Sequence, residues 1–510
     1  MNKINFKLLS AAFLLSTALI NAQGDDETNN NDGDITGRPF FVGRSQGDNL
    51  ARRFVGEIHY FSDCCNYANC FNGITSLAIQ GGQTFDRDEI GKFFSFDKER
   101  TNTMKFAGAA TAPADKDVDG INFLLGDDFS GELTLKPQVT DLIIELYTRL
   151  NLYEWCNGLY FEIWLPVNWS KWDLDLKETV TNASTGIAAG ELTTDPATSP
   201  FKSIIEAFKG EQTVGNVQQL QKARINGSQT KTSVAELKFI LGYDFICNDY
   251  GHLGLNLRVY APTGTRPDAD FLFEPIVGNG HHTALGFGVS AAAVLWDNGC
   301  DQCFSVWLEG VGYHLFNAKQ ERTFDLSKNG AGSRYLLLKQ FNVDASEVLA
   351  LQRGANITTL DTRSDFGFVG EGLFLLDYKR CGFTFDVGYD VWGRTKENLT
   401  IKGDIQANTY AIKGDTDFDG LNSASCTRID GSDSIVDPAI VFIRTEDLDI
   451  EKAEFPSTLA HMVFAHINYA WEDCDWTPFV GIGGMAQFSG KDNKAFDKWG
   501  VWAKGGFFFA

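Results

Sequence analysis

The chain has 510 residues, 43% of them hydrophobic and 22% charged, and a formal net charge of −23. That acidity excludes nucleic acid as the partner, because phosphate backbones are held by an excess of Lys and Arg. No internal stretch reaches the roughly 18 apolar residues that a spanning helix needs, so the choice lies between a soluble protein and a barrel whose lipid-facing residues are diluted by alternation.

The chain opens with Lys3 and Lys7, then an apolar run from Leu8 to Ile20, then Asn21, Ala22 and Gln23. This order predicts a signal peptide over 1–22, cleaved after Ala22. The leader at 23–36 is too polar and acidic to pack, and reads as a tether. Segment 37–72 reads as a plug, a helix or extra strands, and 73–510 as one β-domain. Phe54 to Phe61 alternates in part, which keeps the extra-strand alternative open.

From there, period-two alternation dominates. Ile74 to Thr84, with Leu77 and Ile79, is the best first strand. Leu142, Ile144, Leu146, Leu150 and Leu152 alternate with Glu145, Arg149 and Asn151. Across a short turn, Leu159, Phe161, Ile163, Leu165 and Val167 alternate with Tyr160, Glu162 and Trp164. The pairing recurs at Ala235–Phe245 with Leu253–Ala261, and at Leu285–Leu295 with Phe304–Leu308. It recurs again at Phe366–Tyr378 with Phe383–Val391, and at Leu459–Trp471 with Trp476–Phe488. Successive strand residues point to opposite faces, so each segment has one apolar and one polar face.

These strands run to about 10 residues or more, the length a tilted membrane strand needs, where soluble strands run nearer 5 or 6. Tyr153, Trp155, Trp296, Tyr378, Trp392, Trp471 and Trp476 lie toward strand ends, where interface girdles form. Short turns join the strands of each pair. Long polar segments separate the pairs, at 170–231, 263–280, 316–363 and 394–456. The expected fold is all-β: a transmembrane antiparallel up-and-down β-barrel of about 12 strands, alternatively 14, with long extracellular loops and short periplasmic turns. Closure with both chain ends in the periplasm asks for an even number.

The chain ends Trp499-Gly500-Val501-Trp502-Ala503-Lys504-Gly505-Gly506-Phe507-Phe508-Phe509-Ala510. This resembles the terminal strand of bacterial outer-membrane β-barrel proteins, porins included, in which a final aromatic after alternating apolar positions is the assembly signal. The resemblance implies that Phe507 and Phe509 address the barrel-assembly machinery, and that the protein sits among outer-membrane lipid. Ala510 departs from the family's terminal Phe.

With the apolar register toward lipid, Glu145, Arg149, Glu162, Glu236, Lys238, Arg258, Glu309 and Asp386 point into the lumen, as do Asp141, Asp244, Glu371 and Asp377. Acidic groups outnumber basic ones, which predicts a weak cation preference; alternatively the charges pair across the wall and hold the barrel together. Asp115, Asp117 and Asp119, followed by Gly120, repeat as Asp415, Asp417 and Asp419, followed by Gly420. This D-x-D-x-D-G spacing resembles calcium loops, in which carboxylates converge on one cation. The bidentate Glu position holds Gly126 and Cys426 instead, so an acidic turn without metal is the competing reading. Calcium is the one bound ion expected, and no cofactor is required.

Ten cysteines in an exported chain suggest disulfides, and Cys300 with Cys303 is the pair able to close locally. The other turn cysteines either cross-link outward or stay unpaired, because adjacent hairpin turns lie about 10 Å apart. G-x-S-x-G, H-E-x-x-H and phosphate-binding loops are all absent. The function expected is therefore a passive outer-membrane pore for small solutes or ions, not an enzyme. The alternative is a barrel-anchored surface protein whose acidic loops carry adhesion or host contact. A homo-oligomer is compatible with either.

Overall fold

The computed structural model describes residues 36–57, 72–196, 199–299, 302–471, 476–489 and 496–509. The signal-peptide reading, nearly all of the leader and Cys300 lie outside them. Twelve strands form a closed antiparallel barrel. They are β1 (Asn72–Thr84), β2 (Gln138–Asn151), β3 (Leu159–Asp173), β4 (Leu237–Asn248), β5 (Gly251–Ala261) and β6 (Ala284–Asp297), then β7 (Gln302–Thr323), β8 (Thr359–Arg380), β9 (Phe383–Arg394), β10 (Thr458–Ala470), β11 (Thr477–Ser489) and β12 (Lys498–Phe509). Each pairs with its chain neighbours, and β1 closes the ring on β12, with Gly73 opposite Phe509 and Thr84 opposite Lys498. Among the described residues no helix is long and apolar enough to cross a membrane; the crossing is made by strands.

The alternation read from the sequence is the alternation of the wall. On β2, Leu142, Ile144 and Leu146 are each 43% exposed, while Ile143, Glu145, Tyr147 and Arg149 between them are buried. The same inversion runs round the ring through Leu241, Leu257, Phe287, Val387, Val463 and Val501 on the outside. In water such a belt would be costly, at about 25 cal/mol for each Å² of apolar surface; in lipid it is the solvent-facing surface.

Two further strands lengthen the wall. Gln229–Val234 continues the line of β4 and pairs with β3 beyond Trp164. The break between them falls opposite Pro166, whose carbonyl accepts from Ala235 at 2.8 Å. Proline has no N–H to return toward β4, so the ladder is interrupted there. Glu397–Ile401 likewise continues β9 and pairs with β8.

Some expectations need correction. Trp392 is buried in the lumen and Tyr153 is buried near the turns, so neither belongs to a girdle, whereas Trp155, Trp296, Trp471 and Trp476 are exposed at the turn end. His282 is buried, with its Nδ1 2.7 Å from the Phe316 carbonyl oxygen.

The long loops are folded. The loop after β1 supplies Thr103–Ala107, Val118–Asp119 and Ser130–Thr134 to a small sheet that Lys177–Asn182 from the loop after β3 completes; others pair Leu337–Phe341 with Val348–Arg353 and Tyr410–Ile412. They pack on a common aromatic core, with Phe123 4.5 Å from Phe208 and 5.3 Å from Tyr335 between ring centroids. Phe208 belongs to the short helix Ile204–Lys209, which packs in this cap.

The described part of the segment before β1, residues 36–57, forms no strand and lies inside the barrel and its cap, while most of the Phe54–Phe61 stretch lies outside the described residues. The described part starts in the cap, where Arg38 N donates to Phe93 O at 3.0 Å. It then descends through the lumen and ends near the short turns at Glu57. The first strand starts and the last strand ends on the turn side, as closure with an even number of strands asks, while the described residues before β1 begin at the loop end. Phe41 seats the segment at the mouth, 4.4 Å from Phe496 and 5.2 Å from Phe93 and Phe455.

Candidate functional site: the filled lumen

Many ionisable groups converge in the interior of the barrel. A short helix, α1 (Leu50–Phe54), forms inside it because the Asn49 side chain caps it, accepting from Arg52 N at 2.9 Å. All five residues of α1 are buried. A five-residue helix is unstable alone, so its partners on the wall hold it.

Those partners are mostly charged. Arg44 reaches Asp390 on β9 at 2.8 Å and also Glu371 on β8, whose carboxylate takes a further hydrogen bond from Leu50 N at 2.9 Å. Asp48 meets Lys238 of β4 at 2.7 Å, and Lys238 lies 3.3 Å from Glu236. Both oxygens of Glu236 lie 2.8 Å from the Ser45 hydroxyl. Arg52 pairs with Glu145, and Arg53 with Glu162 at 3.3 Å and with Glu57 at 3.0 Å. Lower down, Gly56 N donates to Asp386 at 2.7 Å. Lys504 of β12 meets Glu57 at 2.8 Å and donates to three carbonyls of α1 and its end.

The eight residues assigned to the lumen from alternation all lie on this inner face. Glu145, Glu162, Glu236, Lys238 and Asp386 contact the central segment. Arg149 and Arg258 instead pair within the wall, Arg149 with Asp244 at 2.8 Å and Arg258 with Glu309. Arg44, Asp48, Arg52, Arg53, Glu57, Asp390 and Lys504 complete the network. The clue to them in the sequence is four arginines within 38–53 of a strongly acidic chain.

A barrel closed on itself, apolar outside and charged inside, fits a lipid bilayer around it. The protein is a transmembrane β-barrel. No family model and no curated relative matches this chain. Three solved structures are similar to it in part. The beta domain of the Bordetella autotransporter Brka is 6% identical over 86% of this chain and 100% of its own, with a TM-score of 0.27. The CymD monoaromatic hydrocarbon channel is 6% identical over 94% and 98%, with a TM-score of 0.29. A Pseudomonas aeruginosa FadL homologue is 8% identical over 87% and 91%, with a TM-score of 0.28.

The two D-x-D-x-D-G loops lie in the cap of this barrel, and in neither do the three carboxylates come together as one group. A lysine ammonium lies beside each loop. Lys116 Nζ is 3.0 Å from Asp119 and donates to Gly108 O at 3.2 Å. Asp117 instead accepts from Lys98 N and Lys105 N, and Asp115 ends a 3-10 turn. Lys339 Nζ donates to Gly420 O at 2.9 Å and Asn422 O at 3.0 Å, beside Asp417 and Asp419, while Asp415 N donates to the Ser434 hydroxyl at 3.3 Å. Burial pushes the Asp119 carboxyl up, and burial with neighbouring Lys413 pushes Lys339 down to about 8.

Among the described residues, the one set of three metal-type ligands is Asp244, Cys247 and His252, within 4.8 Å of one another. Each is already engaged: Cys247 is disulfide-bonded, Asp244 holds Arg149, and His252 Nε2 is 2.7 Å from the Ser290 hydroxyl. Cys303 carries a free thiol, which corrects the expected Cys300–Cys303 closure; Cys156 and Cys381 are free and exposed. At the C-terminus, Phe507 stacks on Trp476 with centroids 5.1 Å apart and packs near Phe509, while Phe508 between them is buried.

Proposed function

We propose that this barrel is a diffusion channel for small solutes or ions, held closed by segment 36–57. The observation that carries the reading is the nature of the seal. The segment belongs to no strand of the wall and is held in the lumen chiefly by ion pairs and hydrogen bonds, which water can replace as the segment leaves. A permanent filling would gain more from apolar contact, because desolvating charges offsets much of their mutual attraction.

The segment carries four arginines against Asp48 and Glu57. Its departure removes net positive charge and leaves Glu145, Glu162, Glu371 and Asp390 facing water. The open lumen is then acidic and favours cations. The folded loops over the mouth restrict passage to small solutes.

The test is planar-bilayer conductance of the refolded full chain beside a variant lacking residues 37–57, with a salt gradient. The deletion variant is expected to give steady steps with cation preference, and the full chain rare ones. A heat-modifiable deletion variant that passes no current would refute the channel.

A further inference from the structure

At the loop end of β7 and β8, outside the lumen, lies a cleft of about 610 Å³ lined almost wholly by charged side chains. Lys222 crosses it and pairs with Asp270 at 2.7 Å and Glu321 at 2.6 Å. Four further cations line it: Arg266, Lys319, Arg363 and Lys402, all exposed. None of the four makes a side-chain ion pair or hydrogen bond among the described residues. Lys222 is shared by Asp270 and Glu321, and with Asp268 and Asp361 the lining carries four carboxylates against five cations, an excess of one positive charge. This happens in a chain whose net charge is −23, where carboxylate partners are abundant.

The strand register sharpens the point. Lys319 stands directly opposite Arg363, and Glu321 directly opposite Asp361. Like charges facing each other across an antiparallel pair are destabilising, and a shift of either sequence by two residues would have paired them. The arrangement makes sense when an anion sits between the two cations.

The height of the cleft identifies that anion. Inward positions at this end of β7 are Ala318, Gln320 and Arg322, so Lys319 points outward, toward the surface that carries Phe316 into lipid. Two residues lie between Phe316 and Lys319, and the bulge there shortens the rise to about 7 Å, which lifts Lys319 from the apolar belt into the headgroup layer. Fixed Arg and Lys groups facing lipid at that level match phosphate, with Arg supplying a planar fork and Lys a point charge.

We propose that this cleft binds the phosphate-bearing headgroup of an outer-leaflet lipid, held between Lys319 and Arg363 with Arg266 and Lys402 at its sides. The inference stands independently of whether the lumen conducts.

The test uses the refolded full chain in phosphate-free detergent, titrated with bisphosphorylated lipid A, with the same lipid dephosphorylated, and with inorganic phosphate. Lipid retention is read by native mass spectrometry and folding by heat-modifiable mobility. Wild type is expected to retain the bisphosphorylated lipid, and Lys319→Gln with Arg363→Gln to weaken retention about tenfold or more. Lys171→Gln, a lysine on the outer side of β3 away from the cleft, should leave retention unchanged. Equal retention of the dephosphorylated lipid, or unchanged retention in the folded double variant, overturns the proposal. Inorganic phosphate binding as tightly as the lipid also overturns it, since the site would then serve a soluble anion.

Discussion

Replacing Arg44 with alanine is the most direct perturbation of the closed lumen. Arg44 alone bridges the central segment to two wall carboxylates, Glu371 and Asp390, and the three side chains are only 2%, 3% and 0% exposed. Solvent screening therefore removes little of the effect. Deleting one partner of a buried ion pair leaves an uncompensated buried charge and costs about 3–5 kcal/mol. In the withdrawn state both carboxylates face lumen water, so the penalty falls on the closed state alone. At about 1.4 kcal/mol per factor of ten, the open fraction should rise by roughly two to four orders of magnitude. Single-channel recording of Arg44→Ala should show frequent cation-preferring openings where wild type is almost silent. Adding Glu371→Gln and Asp390→Asn, which removes the stranded charges, should restore silence. A folded Arg44→Ala barrel as silent as wild type would refute the argument that ion pairing holds the segment in place.

Other expectations follow from the same geometry. Ile144→Arg puts a charge at mid-strand on the lipid face and should destabilise the barrel by about 2–4 kcal/mol, read as a lower urea midpoint in vesicles. Gly242→Ala places a Cβ 2.0 Å from the Tyr160 ring, which lies flat over that backbone with Arg149 3.6 Å above it. The forced shift should cost about 1–3 kcal/mol and lower the midpoint of heat-modifiable mobility. Glu274 lies in the loop between β5 and β6, where burial and a proton shared with Asp268 hold its carboxyl well above its ordinary 4.5. Below 4.5 the carboxyl is protonated folded or unfolded; above it the unfolded chain releases the proton more readily, so stability falls as pH rises. Glu274→Gln should therefore be neutral near pH 4 and raise the thermal midpoint increasingly above pH 5. A gain that is flat with pH would contradict this.

The barrel wall was legible from the residues because its cause is local. A strand shows its two faces to two solvents, so period-two alternation such as Leu142, Ile144 and Leu146 against Glu145 and Arg149 states at once where the strand is and which way it faces. The strand count followed from the same pattern, and so did the inward direction of the eight charged wall residues. What those residues touch was not legible. Arg44 and Asp390 are 346 positions apart, and Arg52 and Glu145 are 93 apart. No sequence period links them, because they meet only when the ring closes around the segment before β1. The surroundings of the acidic spacing were not legible for the same reason: folding brings the Lys116 ammonium to Asp119 and the backbone N–H groups of Lys98 and Lys105 to Asp117. Alternation, set by the solvent on each side of one strand, determined the barrel. The contents of its lumen, the cap over its mouth and the charged cleft at its rim were decided by which distant segments the closed ring brought together.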